Sequence, residues 1–151
     1  MKEYGLLGLT LGHSFSQKFF TEKFNREGID ARYLNFEIPD ISCLRDILFE
    51  HPYLEGLNCT IPYKGTLLPY LDEITPEAQE IGAVNVVKIH RDPNFTGGRC
   101  MDGIRLTGYN SDIIGFTESI SPFLKPHHRK ALILGTGGAA KAIKVGLEKL
   151  G

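Results

Sequence analysis

At 151 residues, 42% apolar and 23% charged, with a formal net charge of −1, the chain has the balance of an ordinary globular protein. It is long enough for one domain, or one domain plus part of another. Near-neutral charge excludes broad attraction to nucleic acid or anionic lipid, and no apolar run approaches the ~20 residues a membrane-spanning helix needs.

Strand-like runs alternate with helix-like runs from the N-terminus onward. Glu3 and the early glycines break the pattern of a secretion leader. "YGLLGL" (4–9) reads as a strand, followed by a helix over 16–27. In that helix Phe19, Phe20 and Phe24 form an apolar stripe, Lys18, Glu22 and Arg26 face away, and Gly28 stands where a left-handed residue stops a helix. Between them "GHSFSQ" (12–17) sets Ser14 and Ser16 at the helix start. Ser14 followed by Gln17 has the spacing of a capping box, so these hydroxyls serve either the helix end or a ligand.

The pattern continues with a strand at 31–38, a helix over 41–50 and a strand at 55–62. The last of these ends in "NCTIPYK" (58–64), where Asn58, Thr60 and Lys64 interrupt an otherwise apolar segment and Pro62 turns the chain out of the sheet. Ligands of parallel sheets collect at the C-terminal ends of strands, and a lysine there can exchange a proton with one.

Helices are predicted over 65–74 and near 76–81, then a strand at 83–90. That strand carries Asn85, a buried amide that must either brace a neighbouring loop or face a ligand. "RDPNFTGGRC" (91–100) reads as a loop leading to a strand at 104–110 and a helix over 112–124. Asn110 and Asp112 of "GYNSD" lie at their junction, where Asp112 also has helix-capping chemistry. If Lys64 and Asp112 converge, they form an ammonium–carboxylate pair able to relay a proton to or from an alcohol.

The chain closes with a strand predicted at 130–135 and a helix over 138–150. Between them "GTGGAA" (135–140) fits the glycine turn that opens a dinucleotide-binding (Rossmann) domain, with phosphates at the helix N-terminus. The residue that meets the ribose lies ~20 positions further on. That is beyond Gly151, so the turn by itself leaves NAD and NADP open. Strand 130–135 and the apolar positions Ile143, Leu147 and Leu150 have too little around them to be buried. This unit is therefore expected either to pack on another copy of the chain, as a homodimer, or to be poorly ordered. The three cysteines, Cys43, Cys59 and Cys100, have neither zinc nor disulfide spacing, and the five histidines have no metal spacing. No metal and a cytoplasmic setting are expected.

The fold class predicted is α/β: an open, mostly parallel sheet flanked by helices, then the start of a Rossmann domain. The boundary is drawn at 103, giving residues 1–103 as the first domain and 104–151 as a linker helix with a truncated cofactor unit.

"GHSFSQ", "NCTIPYK", "GAVNVV", "GYNSD" and "GTGGAA", in this order and spacing, resemble the shikimate dehydrogenases over essentially the whole chain. The resemblance implies an NADP-dependent oxidoreductase interconverting 3-dehydroshikimate and shikimate in aromatic amino acid (chorismate) biosynthesis. Residues 1–103 then correspond to the shikimate-binding domain. The resemblance implies that Ser14 and Ser16 hold the substrate carboxylate, and that Asn58, Thr60, Asn85 and Asn110 bind its other oxygens together with Asp112. It also implies Lys64 as catalytic acid/base partnered by Asp112, and Gly135, Gly137, Gly138 and Ala139 as the turn over the pyrophosphate. Cys59 replaces a usual valine, and Val86 and Ser111 stand where threonine is common. The later part of the cofactor domain is absent, so a truncated product is expected, whose own turnover the sequence leaves open. A non-catalytic binding module and a quinate-type relative are the alternatives, and an intact Lys64–Asp112 pair argues against the former.

Overall fold

The computed structural model describes residues 1–151 in full. Strands β1 (Lys2–Gly8), β2 (Ala31–Glu37), β3 (Leu54–Cys59), β4 (Glu73–Ile74), β5 (Val86–Arg91) and β6 (Ile104–Tyr109) form one sheet. Their order is β2-β1-β3-β5-β6-β4. β1 runs parallel to β2 and β3, and β4 runs parallel to β6, while β5 is antiparallel to both of its neighbours. Five strands therefore end at one edge of the sheet, and β5 begins there. The mostly parallel α/β architecture read from the sequence is the one observed.

Helices α1 (Ser16–Glu27), α2 (Leu44–Glu50), α3 (Tyr63–Thr66), α4 (Pro76–Ile81), α5 (Asp112–Ile120) and α6 (Gly138–Leu150) surround it. The larger core lies on the α2–α3 face. There Leu7, Leu44, Leu48, Leu54, Leu67 and Leu106 are almost wholly removed from water. On the opposite face α1 covers a smaller cluster of Leu6, Leu11, Phe24 and Tyr33. Of the predicted α1 stripe, Phe24 is buried and Phe20 half-buried, whereas Phe19 stays exposed and packs edge-on against Phe20. Gly28 ends α1 in the left-handed conformation, as its position predicts.

Several expected boundaries shift for identifiable reasons. The helix read over 65–74 breaks into α3, a short 3-10 turn at Leu68–Tyr70 containing Pro69, and β4. Proline lacks the N–H that a continuing helix needs, and Glu73 and Ile74 instead pair with Thr107 and Gly108. Pro122 likewise falls in the 3-10 turn Ser121–Phe123 that follows α5, so that helix is shorter than expected. β5 starts at Val86, leaving Asn85 just before the strand. β6 pairs with β5 from Val86–Tyr109 to Arg91–Ile104. The sheet thus runs on to Tyr109, and a division at residue 103 would cut it.

The strand predicted at 130–135 does not form. Its apolar residues have no neighbouring strand in the chain to supply hydrogen bonds, and Leu132 and Leu134 are 85% and 89% exposed. α6 does form. It packs on α4 and α5 through Ala142, Val145 and Gly146, which meet Ile81, Ala83 and Ile113. A Cβ at Gly146 would lie 3.1 Å from both Phe116 and Thr117, so glycine is what lets the two helices approach. Ile143 and Leu147 are only half-buried and Leu150 is exposed, as expected for a helix covered on one side. No helix is long and apolar enough to cross a membrane.

Candidate functional site

The polar motifs converge at the sheet edge where the parallel strands end. Ser14 and Ser16 follow β1, Asn58 and Thr60 close β3, Lys64 lies in α3, Asn85 precedes β5, and Asn110 and Asp112 follow β6. The reversed direction of β5 brings Asn85 to this edge.

Lys64 is tied in place because its carbonyl accepts from Val84 N at 2.7 Å. Its Nζ donates to Asp112 Oδ2 at 2.6 Å, with the two side chains 15% and 30% exposed. Asp112 Oδ1 accepts from Asn85 Nδ2 at 2.7 Å. Asn85 Nδ2 also donates to Ser111 Oγ, and Asn85 Oδ1 accepts from Ser111 N at 2.8 Å. The Asn85 amide thus braces both the Asp112 carboxylate and the backbone at Ser111. Asn110 also bonds within the fold. Its Nδ2 donates to Ala83 O at 2.9 Å and its Oδ1 accepts from Asp112 N at 3.0 Å. Asn110 Oδ1, which accepts from the backbone N–H groups of Asp112 and Ile113, thus provides the capping at the start of α5, which leaves the Asp112 carboxylate for Lys64. Within the fold, then, Asn85 braces the Asp112 carboxylate and Asn110 holds the start of α5.

At the other end of the edge, the Glu37 carboxylate accepts from Leu11 N and anchors the loop before α1. Ser14 Oγ accepts from Ser16 N at 3.2 Å. The capping box does not form, because Gln17 reaches across to Tyr33 O and to Asn35 Nδ2 on β2. Both serine hydroxyls are half-buried at the edge. Thr60 is held by its backbone, N to Leu7 O at 2.9 Å, and its half-buried side chain has no hydrogen-bond partner.

Asn58 Oδ1 accepts from Tyr33 Oη at 2.7 Å. Tyr33 escaped the sequence reading, although a tyrosine in an apolar strand signals a buried hydroxyl that needs a partner. Burial pushes its phenol well above the ordinary range, with the Ser16 hydroxyl opposing. Cys59, beside this site, is an inert thiol. Burial raises its pKa to about 12, against the weaker opposing pull of the Lys64 charge.

The glycine turn is less uniform than its motif. Gly135, at φ 130°, and Gly137 face open space, and Ala139 is exposed. Gly138 instead sits against the site: a Cβ there would come 2.9 Å from Lys64 Cβ and 3.3 Å from Ala83 Cβ. The first paired amide of α6 is Lys141 N, on Gly137 O, so those of Gly138, Ala139 and Ala140 lack a backbone acceptor. This exposed, uncapped helix start fits a pyrophosphate. No cluster of three or more His, Cys, Asp or Glu side chains could hold a metal.

An open sheet whose polar side chains gather where its parallel strands end, with an ammonium–carboxylate pair braced by a buried amide, defines a class. It is an α/β domain whose sheet edge carries groups that can hold a small polar molecule and exchange a proton with it. Residues 6–87, more than half of the chain, match the shikimate dehydrogenase substrate binding domain, and the chain belongs to that family. It is 36% identical over 150 residues to shikimate dehydrogenase (NADP(+)) of Pyrococcus abyssi, covering 99% of this chain and 52% of the relative. It superposes on shikimate dehydrogenase 1 of Peptoclostridium difficile with a TM-score of 0.82 at 35% identity, covering 99% of this chain and 53% of that one. The Thermus thermophilus enzyme solved with NADP(H) and shikimate gives 0.78 at 33%, covering 100% and 53%. The chain thus spans about half the length of the relatives it matches.

Proposed function

We propose that this chain is the substrate-binding half of an NADP-dependent shikimate dehydrogenase, an oxidoreductase that interconverts 3-dehydroshikimate and shikimate in aromatic amino acid biosynthesis. The observation that carries the reading is the Lys64–Asp112 contact, 2.6 Å long and braced by Asn85. A module that only bound its ligand would have no need of it. The functional unit is drawn through β6, with α5 as the link to the cofactor-binding segment.

Ser14 and Ser16 present hydroxyls to the ligand carboxylate, and Asn58 and Thr60 present polar groups to its other oxygens. Lys64 gives a proton to the ketone oxygen in one direction and takes it from the hydroxyl in the other. Asp112 stabilises the ammonium and aims it. Asn85 and Asn110 act by fixing Asp112. The start of α6, with Gly135, Gly137, Gly138 and Ala139, would hold the cofactor pyrophosphate. NADP, when bound there, supplies the hydride chemistry. The reading places the protein in the cytoplasm, with no nucleic-acid or membrane partner. It also gives the uncovered side of α6 a second copy of the chain as partner.

Calorimetric titration of the 151-residue chain with shikimate, without cofactor, tests this reading. Binding supports it, and Lys64→Ala is then expected to leave affinity within about tenfold while abolishing any shikimate-dependent NADPH formation. A folded chain that takes up no shikimate counts against it.

A further inference from the structure

Gly138 sits where the start of α6 meets the stem of Lys64. Nothing in its own conformation asks for glycine. Its φ lies outside the left-handed region, and it opens a regular helix, in which alanine is the better former. An alanine would also keep the backbone N–H at the helix start. What it would not keep is the space. A Cβ at Gly138 would stand 2.9 Å from Lys64 Cβ, 3.0 Å from Lys64 Cδ and 3.3 Å from Ala83 Cβ. At neighbouring Gly137 a Cβ would meet nothing within 4 Å.

Both sides of that contact are held. α6 is anchored on α4 and α5 through Ala142, Val145 and Gly146. Lys64 is held at its backbone by Val84 N and at its tip by Asp112, whose other oxygen accepts from Asn85. The lysine stem therefore lies along the bare Cα of Gly138 on its way to the carboxylate, with 15% of the side chain exposed.

We infer that Gly138 is a positioning residue for Lys64: by having no side chain, it leaves open the path along which the lysine stem carries Nζ to the Asp112 carboxylate. A methyl group there meets Lys64 Cβ, which moves only with the backbone, and turns the stem beyond it aside. Nζ then leaves Asp112. That Lys64 transfers a proton rests on the proposed function; its placement by Gly138 does not.

Gly138→Ala tests the inference, with Gly137→Ala for comparison. The reaction of each lysine with acetic anhydride is followed by peptide mass spectrometry, after circular dichroism shows the variants folded. The reagent takes only an unprotonated amine released from its ion pair, so Lys64 of the original chain should react more slowly than exposed Lys125. Gly138→Ala should raise the Lys64 rate about tenfold, the worth of one charge-assisted hydrogen bond, and Gly137→Ala should change it less than about twofold. Hydrogen exchange over Ala142–Gly146 should stay as it was, because the change acts on the lysine and not on the helix.

Asp112→Asn supplies the readout that a packing role would not move. It frees Nζ directly, so adding Gly138→Ala to it should raise the Lys64 rate by less than about twofold. An unchanged rate in Gly138→Ala, an equal rise in Gly137→Ala, a full further rise beside Asp112→Asn, or loss of exchange protection along α6 each overturns the inference. Should Gly138→Ala not fold, the original chain decides. Nuclear Overhauser contacts from Gly138 Hα to Lys64 Hβ and Hδ are expected, and their absence means that the stem does not run past this residue. None of these readouts uses shikimate or a cofactor. A folded chain that takes up no shikimate counts against the substrate reading alone, and the placement of Lys64 is still decided by these rates.

Discussion

Two stretches of this chain look alike on paper: "YGLLGL" near the start and "ALILGT" at 131–136. Each is an apolar run closed by glycine and followed by a helix. The first becomes β1, hydrogen-bonded on one side to β2 and on the other to β3, with Leu7 fully removed from water. The second stays irregular, with Leu132 and Leu134 in solvent. The difference lies in their surroundings. A strand needs another backbone beside it to take its N–H and C=O groups, and only the first run has one. A helix closes its own hydrogen bonds, so α6 forms next to the unpaired run and needs only one face covered.

That contrast can be broken deliberately. The largest effect is expected in the sheet: Leu106→Ala, at a fully buried position, should cost about 2–5 kcal/mol by chemical denaturation. If it cost no more than an exposed position, the core assignment would be wrong. Gly146→Leu comes next. It should push α6 off α5 at a cost on the order of 1–3 kcal/mol, felt locally. Hydrogen exchange should then show α6 losing protection while β1 and β3 keep theirs. Loss of protection across the whole sheet would show that the two regions fold as one cooperative unit.

A smaller effect concerns Glu3, which is 4% exposed and joins β1 to both Arg32 and His51. Burial pushes its carboxyl up, but the hydrogen bonds and charges of Arg32 and His51 outweigh burial and hold it below the ordinary range. A lowered folded-state pKa means stability present above the unfolded value, about 4.3, and lost as pH falls through the folded value. Glu3→Gln should therefore cost about 1 kcal/mol near pH 7, with the gap to the original chain closing in acid. A gap that widened below pH 4 would contradict the sign. Least of all, Leu134→Ser should change stability by no more than about 0.5 kcal/mol. Its interest lies in sedimentation: if the uncovered side of α6 pairs with a second copy, this change should weaken that association, and no change would argue against the pairing.

Much of the site was legible because its chemistry is punctuated in the chain. Lys64, Asn85 and Asp112 are polar residues at the ends of apolar runs, and strand ends are where a parallel sheet receives ligands. Tyr33 was hidden inside an apolar strand, where its hydroxyl counted for nothing until a partner was known. Gly138 read as part of a phosphate turn, yet its nearest neighbour is the Lys64 stem. Neither pairing is written in sequence spacing, because each joins segments that only the fold brings together.

The sequence by itself determined the alternation of strands and helices, the sheet edge that carries the polar motifs, and the helix stop at Gly28. These follow from periodicity, turn chemistry and capping within a few residues of one another. The tertiary structure decided which partners the amides of Asn58, Asn85 and Asn110 meet, that β5 runs against its neighbours, and that residues 130–135 have no strand beside them. All of these depend on what lies across space from a group, which spacing along the chain does not record.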